Sequence, residues 1–355
     1  MSFLNLRNLG ATTAIGALAI GMTTLVALTG ASADGLKGAP APFDKPGTKI
    51  ALISYLSEGD FFQAYEAGAQ AQAKALGVDL RTFEGRQNAD EQREQIQQAI
   101  NLGVKGIVIN HGQPEALKDV VQKALDAGIK VVAFDVNLDN PKIPQIEQSD
   151  HDLASLLLGQ AVKENGDSFA AGYVYVAGFA PLDRRNDVWQ DFKKQHAGVS
   201  EKAQWGAVDA TTAKTVADQT AAVFRAHPDI SVVVAPYDEF ARGVKLAAGE
   251  GGFAKKVKIY SADISTADIG EIREDGSPWV ATAATNPAVV GKVSVRALAL
   301  LLAGQDPGHD VIVKPALVTR DELIKNDIKT VQDLATKVPA FNASDAALAS
   351  WIPNS

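Results

Sequence analysis

Residues 50–77 read IALISYLSEGDFFQAYEAGAQAQAKALG. Ile50–Ile53 is a short, unbroken apolar run, as a strand buried on both faces requires. Phe62, Tyr65, Ala69, Ala73 and Leu76 then share one helical face across 61–76, and Gly77 closes the helix. A polar turn, Ser54 to Asp60, joins the two. The stretch is one βα unit, and the same grammar continues on its C-terminal side.

Val78–Phe83 reads as a second strand and Glu91–Leu102 as a polar helix. Gly106–Ile109 is a third strand. Pro114 stands where a first-turn proline is tolerated. Leu117, Val120, Val121, Ala124 and Leu125 form an apolar stripe that ends at Gly128, and Val131–Phe134 is the fourth strand. A second series begins near His151. Its strands are Tyr173–Val176, Ser231–Ala235 and Val257–Tyr260, with helices near 186–196, 212–226 and 239–249. Apolar strands alternating with helices imply parallel sheets covered on both faces. Two such series predict an α/β protein of two doubly wound parallel-sheet domains. The length of 355 residues suits two domains at ~150 residues each.

The first 33 residues read differently. They hold one base, Arg7, and no acid, followed by the weakly apolar stretch GATTAIGALAIGMTTLVAL and the small-x-small end Ala31-Ser32-Ala33. This is the pattern of a secretory signal cleaved after Ala33, and it predicts a periplasmic, soluble product. Residues 34–48 are rich in Gly and Pro and read as a flexible leader. There is no cysteine, so disulfides, thiolate catalysis and a lipidated anchor are excluded. The net charge of −8, without a basic run, argues against nucleic acid as a partner.

In open α/β sheets ligands bind outside the carboxyl ends of the strands. Those positions hold Ser54, Glu58, Asp60, Phe61 and Phe62 after strand one, Asn110 and His111 after strand three, and Asp135 and Asn137 after strand four. In the second series they hold Arg184 and Arg185, then Tyr237, Asp238 and Glu239, then Asp263, then Thr285 and Asn286. Carboxylates accept from neighbouring hydroxyls, Arg donates to ring oxygens, and aromatic rings cover the apolar face of a sugar. Asp60 and Asp238 also stand where helix N-caps are expected. Of Phe61 and Phe62, one ring is expected in the core and one on the cleft.

Taken together, IALISYLSEGDFFQAYEAGAQAQAKALG, GIVINHG, IKVVAFDVN, LDRRNDVWQDF, HPDISVVVAPYDEFARG, VKIYSADIS and WVATAATNPAVVG occur in an order and spacing that resembles the ribose/galactose-type periplasmic sugar-binding proteins, the type I solute-binding proteins of ABC importers. The resemblance covers about 49–320. It implies Ser54, Phe61, Phe62, Asp135, Arg185, Tyr237, Asp263 and Thr285 as sugar contacts, to which the strand-end reading adds Glu58, Asp60 and Asn137. It implies a three-segment hinge between an N-terminal lobe, 34–149 plus 286–312, and a C-terminal lobe, 150–285 plus 313–355, closing on the ligand. The chain departs from the ribose-type pattern at Val136, Tyr237 and Thr285, and through the longer acidic turn Glu58-Gly59-Asp60. Relative to that pattern the cleft loses an Arg and gains carboxylates. The implied function is delivery of a monosaccharide or related polyol to inner-membrane permease subunits, by a monomer without cofactor or metal. An amino sugar such as a hexosamine is the alternative ligand, its ammonium against Glu58 or Asp60. A chemoreceptor is a further partner compatible with this role.

Other classes fit less well. Neither GxGxxG nor GxxxxGK[ST] is present, the five histidines are scattered, and no G-x-S-x-G or D-x-[DN]-x-[DN]-G motif occurs. Asp135 and Asp263 as a carboxylate pair leave glycoside processing as the enzymatic alternative. A regulator on this fold needs a helix-turn-helix, and the signal segment occupies that place.

Overall fold

A computed structural model describes residues 35–342 and 345–354; the signal segment lies outside the described residues. Two six-stranded sheets carry the chain. The first half supplies β1 (Thr48–Ser54), α1 (Asp60–Ala75), β2 (Val78–Glu84), α2 (Ala89–Asn101), β3 (Gly106–Asn110), α3 (Pro114–Asp126), β4 (Lys130–Phe134) and β5 (Gln145–Glu147). The chain then crosses to α4 (Asp150–Asn165), β6 (Ser168–Val174), α5 (Ala180–Gln195), β7 (Gly198–Trp205), α6 (Thr212–Ala226), β8 (Val232–Ala235), α7 (Asp238–Glu250), β9 (Lys258–Ala262), α8 (Thr266–Arg273) and β10 (Trp279–Ala284). It returns for α9 (Pro287–Leu302) and β11 (Asp310–Ile312), and crosses again to β12 (Ala316–Thr319), α10 (Arg320–Lys325), α11 (Val331–Lys337) and α12 (Pro339–Asn342).

The strand orders are β11-β5-β4-β3-β1-β2 and β12-β10-β9-β8-β6-β7. Pairing is parallel except for β12 against β10. Each sheet has a hydrophobic cluster on either face. Both sheets therefore point their carboxyl ends into the space between the lobes.

The unread elements are instructive. β7, GVSEKAQW, is a polar edge strand with one mostly accessible face, so it lacks the apolar run that marks a central strand. β5, β11 and β12 span only three or four residues. The leader is not loose: Phe43 is buried and packs its ring 5.0 Å from Trp351. The end of the chain also departs from expectation. Phe341 packs with the second lobe, but Trp351 and Ile352 join the core of the first. Gln72 Nε2 donates to the Pro353 carbonyl at 3.0 Å, and Arg296 Nη2 donates to Asn354 Oδ1 at 2.9 Å.

Neither acidic residue expected as a helix cap acts as one. Gly59 and Tyr237 hold those N-cap positions, and Asp60 and Asp238 are the first helical residues.

α9 is apolar nearly all round because it is buried between α1 and the first sheet. Its approach to α1 is set by two glycines. A Cβ on Gly291 would lie 2.0 Å from the Tyr65 carbonyl oxygen, and one on Gly68 would lie 2.0 Å from that of Ala288. Both obstacles are helix backbone, which cannot step aside locally. Tyr65 Oη donates to Ser294 Oγ at 2.8 Å across the same seam. Gly291→Ala is therefore expected to destabilise the protein by about 1–3 kcal/mol through overpacking, despite alanine's better helix propensity. Urea denaturation checks this; unchanged or raised stability contradicts the close-packed seam.

Candidate functional site

The site is built on strand ends whose backbone is held in an unusual conformation. His111 follows β3, Asp135 follows β4 and Asp263 follows β9, with φ of 56°, 52° and 71°. Non-glycine residues rarely adopt this left-handed region, and three at corresponding strand ends mark a constrained site. The turn they make aims each side chain into the cleft.

Two adjacent arginines of α5 organise the floor. Arg185 is 2 % exposed. Its Nε donates to Asp150 Oδ1 at 2.6 Å, and its Nη1 to the Pro236 carbonyl at 2.8 Å and to Asp263 Oδ2 at 3.0 Å. Arg184 reaches across the lobes. Its Nη2 donates to Asp135 Oδ1 at 2.7 Å, its Nε donates to Asp150 Oδ2 at 2.8 Å, and Glu147 lies 3.3 Å away. Two guanidinium groups thus face the buried carboxylates Asp135, Asp150 and Asp263, with Glu147 at the edge. Each Arg uses the fork geometry that suits several acceptors at once.

Acid outnumbers base, and two oxygens are left over. Asp135 Oδ2 and Asp263 Oδ1 are buried without a hydrogen-bond partner among the described residues. Burial and the Asp150 carboxylate push Asp135 up, against the pull of Arg184 and Arg185. Burial also raises Asp263, although Arg185 lowers it. An unmet buried acceptor is costly, so both oxygens call for donors supplied from the cleft.

His111 stands beside them, its Nε2 3.9 Å from Asp135 Oδ2. Burial, then Arg185 and Arg184, push it down to about 3. Its Nδ1 is 2.7 Å from Asn110 Oδ1, while Asn110 Nδ2 donates to Ser54 Oγ at 3.2 Å. That relay assigns the ring proton to Nδ1 and leaves Nε2 as an acceptor.

These groups border a cavity of about 480 Å³, counting space open to solvent. Its polar lining is His111, Gln148, Arg185 and Asp263. The rest of the wall is apolar: Leu56, Phe179, Pro181, Leu182 and Val208, with Phe61, Phe62 and Tyr237.

The expected residues divide into three groups. Arg185, Tyr237, Asp263, Phe61 and Phe62 line this cavity, and Asp135 is buried just behind its His111. Both phenylalanines are 6 % exposed and both line the cavity, edge to face at 5.2 Å, so the anticipated division into core and cleft rings does not occur. Ser54 and Thr285 stand one step back. Ser54 holds Asn110, and Thr285 Oγ1 donates to Gln148 Oε1 at 2.5 Å. Asn137 is absent from the wall: its Oδ1 accepts the Asp139 N–H at 2.9 Å and shapes an exposed turn. Glu58 and Asp60 are exposed at the mouth and line an adjoining space.

Several cavity-lining positions escaped the sequence reading. Gln148 follows the three-residue β5, and Val208 follows the unread β7. Phe179–Leu182 carried a usable signal, since FAPL is an apolar run between β6 and the two arginines of α5. Among the described residues no group of three or more His, Asp or Glu side chains could hold a metal ion.

Residues 50–306 match the family model of the periplasmic binding protein domain. A 5-methylthioribose transporter solute-binding protein from Thermotoga lettingae, solved with 5-methylthioribose, is 36 % identical with a TM-score of 0.83. That comparison covers 86 % of this chain and 97 % of the other. A sugar ABC transporter protein from Yersinia enterocolitica is 27 % identical, TM-score 0.81, over 87 % and 94 % of the two chains. A D-ribose/D-allose-binding protein of Pseudomonas aeruginosa is 28 % identical over 75 % of this chain and 85 % of its own length. These relatives bind substrates for import and are not enzymes. The chain belongs to the periplasmic binding protein family, among the ribose/galactose-type sugar-binding proteins of ABC transporters.

Proposed function

We propose that this protein binds a pentose bearing an apolar substituent, 5-methylthioribose or a close analogue, in the periplasm and presents it to an ABC permease. The observation that carries this reading is the mixed lining of the cavity, a few polar groups set in an apolar wall. One part of the lining offers the unmet Asp263 oxygen and the His111 Nε2 acceptor, with the unmet Asp135 oxygen 3.9 Å beyond His111, which suit adjacent sugar hydroxyls. The other is walled by Leu56, Phe179, Pro181, Leu182 and Val208, which offer nothing to a hydroxymethyl group but cover a thioether well. The bound compound of the 36 % identical Thermotoga protein has that same division. A plain monosaccharide or polyol, the expectation from sequence, leaves the apolar end unmatched. Export follows from the signal pattern with cleavage after Ala33, and action as a monomer fits a cleft completed within one chain.

Closure is written into the ion pairs. Arg184, on the second lobe, holds Asp135 and Glu147 of the first. These pairs exist only when the lobes meet. Ligand hydroxyls that satisfy Asp135 and Asp263 therefore favour the same closed arrangement.

Calorimetry on the intact mature protein tests the ligand. Burying the methylthio group is worth roughly 1.5–3 kcal/mol, the scale of one buried aliphatic side chain, so 5-methylthioribose should bind at least tenfold tighter than ribose. Asp263→Asn should weaken it by about 1.5–3 kcal/mol through loss of a charged acceptor. Equal affinity for ribose, or an unaffected Asp263→Asn, contradicts the reading.

His111 sets a stability profile. Its folded value of about 3 lies below its ordinary 6.5, so the unfolded chain takes up the proton first as pH falls. The neutral burial of His111 thus contributes stability above 6.5 that is lost progressively toward 3. The cost is roughly 1.4 kcal/mol per pH unit. Urea melts between pH 6 and 4 should show wild type losing about one proton's slope more than His111→Asn, an amide that tolerates the left-handed backbone. Parallel profiles contradict the buried neutral imidazole.

A further inference from the structure

The cleft does not end at the apolar wall. Leu56, Phe61, Phe62, Val208 and Tyr237 also line a second chamber, so these five side chains are common to both spaces and form the largely apolar boundary, here called the neck, between them. The second chamber is different in kind. Its ionisable groups are Glu58, Asp60, Asp209, Asp238 and Glu239 against one cation, Arg242. That cation is already engaged: Arg242 Nε donates to Asp268 Oδ1 at 2.6 Å and Nη2 to Ser265 Oγ at 3.1 Å, with Glu239 of the chamber wall at 3.5 Å.

Asp238 is the telling residue. It lines the chamber yet is only 5 % exposed. It does not cap α7. Its Oδ1 accepts the neighbouring Glu239 N–H at 2.8 Å, and Oδ2 meets no donor among the described residues. Burial, then Asp268, Asp263 and Glu239, raise its carboxyl well above the usual range, with Arg242 only partly opposing. A buried acid so placed is stabilised by a cation that arrives with the ligand.

We propose that this chamber receives a primary ammonium group carried at the end of a short thioether chain on the sugar, the chain passing through the neck and the ammonium meeting Asp238 and Glu239. The proposal rests on the substituted-pentose reading and extends its ligand class to 5-(aminoalkylthio)pentoses. An ammonium on the sugar ring itself, the hexosamine alternative, is served less well, because neither Glu58 nor Asp60 lines the first cavity.

Calorimetry at pH 7 on the intact mature protein separates the cases with three probes: 5-methylthioribose, 5-(2-aminoethylthio)-5-deoxyribose and its neutral 5-propylthio counterpart. The amine should bind at least tenfold tighter than the propylthio compound. Asp238→Asn should abolish that preference while changing 5-methylthioribose affinity less than twofold. If Asp238→Asn does not fold, Glu239→Gln should reduce the preference severalfold. Equal or weaker binding of the amine, with 5-methylthioribose still bound, overturns the chamber proposal alone. A preference that survives either folded variant overturns it too. Failure to bind 5-methylthioribose and the propylthio compound overturns the substituted-pentose reading and this proposal with it.

Discussion

Two neighbouring guanidinium groups facing three buried carboxylates constrain the centre of this molecule. Arg185 ties Asp150, at the start of α4, to Asp263, at the end of β9. Arg184 ties the same Asp150 to Asp135 in the opposite lobe. Desolvating so many charges is favourable only when each finds partners of good geometry. Here the arginines satisfy one oxygen of Asp135 and one of Asp263 and leave the other unmet. The network is therefore stable enough to hold the strand ends in place and incomplete enough to need a ligand. Position and affinity come from the same charges.

The apolar side of the cleft has a separate origin. Phe179, Pro181 and Leu182 come from the start of α5, one turn from the arginines, and Val208 from the loop after β7. A single helix thus delivers the charged floor and part of the hydrophobic wall. The spacing along α5 fixes the distance between them. A small ligand with a hydroxyl-bearing end and an apolar end has the complementary layout.

Much of this was legible in the residues. Unbroken apolar runs such as Ile50–Ile53 and Val131–Phe134 marked strands because a doubly covered sheet demands them. Arg185, Tyr237 and Asp263 line the cavity, with Asp135 just behind it, as residues following the strands of such sheets are expected to do. The failures have physical causes too. β7 is an edge strand with polar residues, so Val208 after it went unseen. β5 is too short to leave a pattern, so Gln148 was missed. Asn137 sits two residues from Asp135 but turns outward to make its own backbone contact. Asp60 and Asp238 fit the composition of a cap, yet the neighbouring residue takes the cap position in both helices. The tail was assigned to the wrong lobe because Trp351 and Ile352 find their pocket through contacts far away in sequence, with Phe43 and the first-lobe core.

The division of the cavity is the central claim, and a crystal structure of the mature protein with 5-methylthioribose examines it directly. The account predicts adjacent ring hydroxyls within ~2.5–3.2 Å of Asp135 Oδ2 and Asp263 Oδ1, with the methylthio group among Phe179, Leu182 and Val208. A ligand bound the other way round, its sulfur against Arg185 and its hydroxyls on the apolar wall, would contradict it.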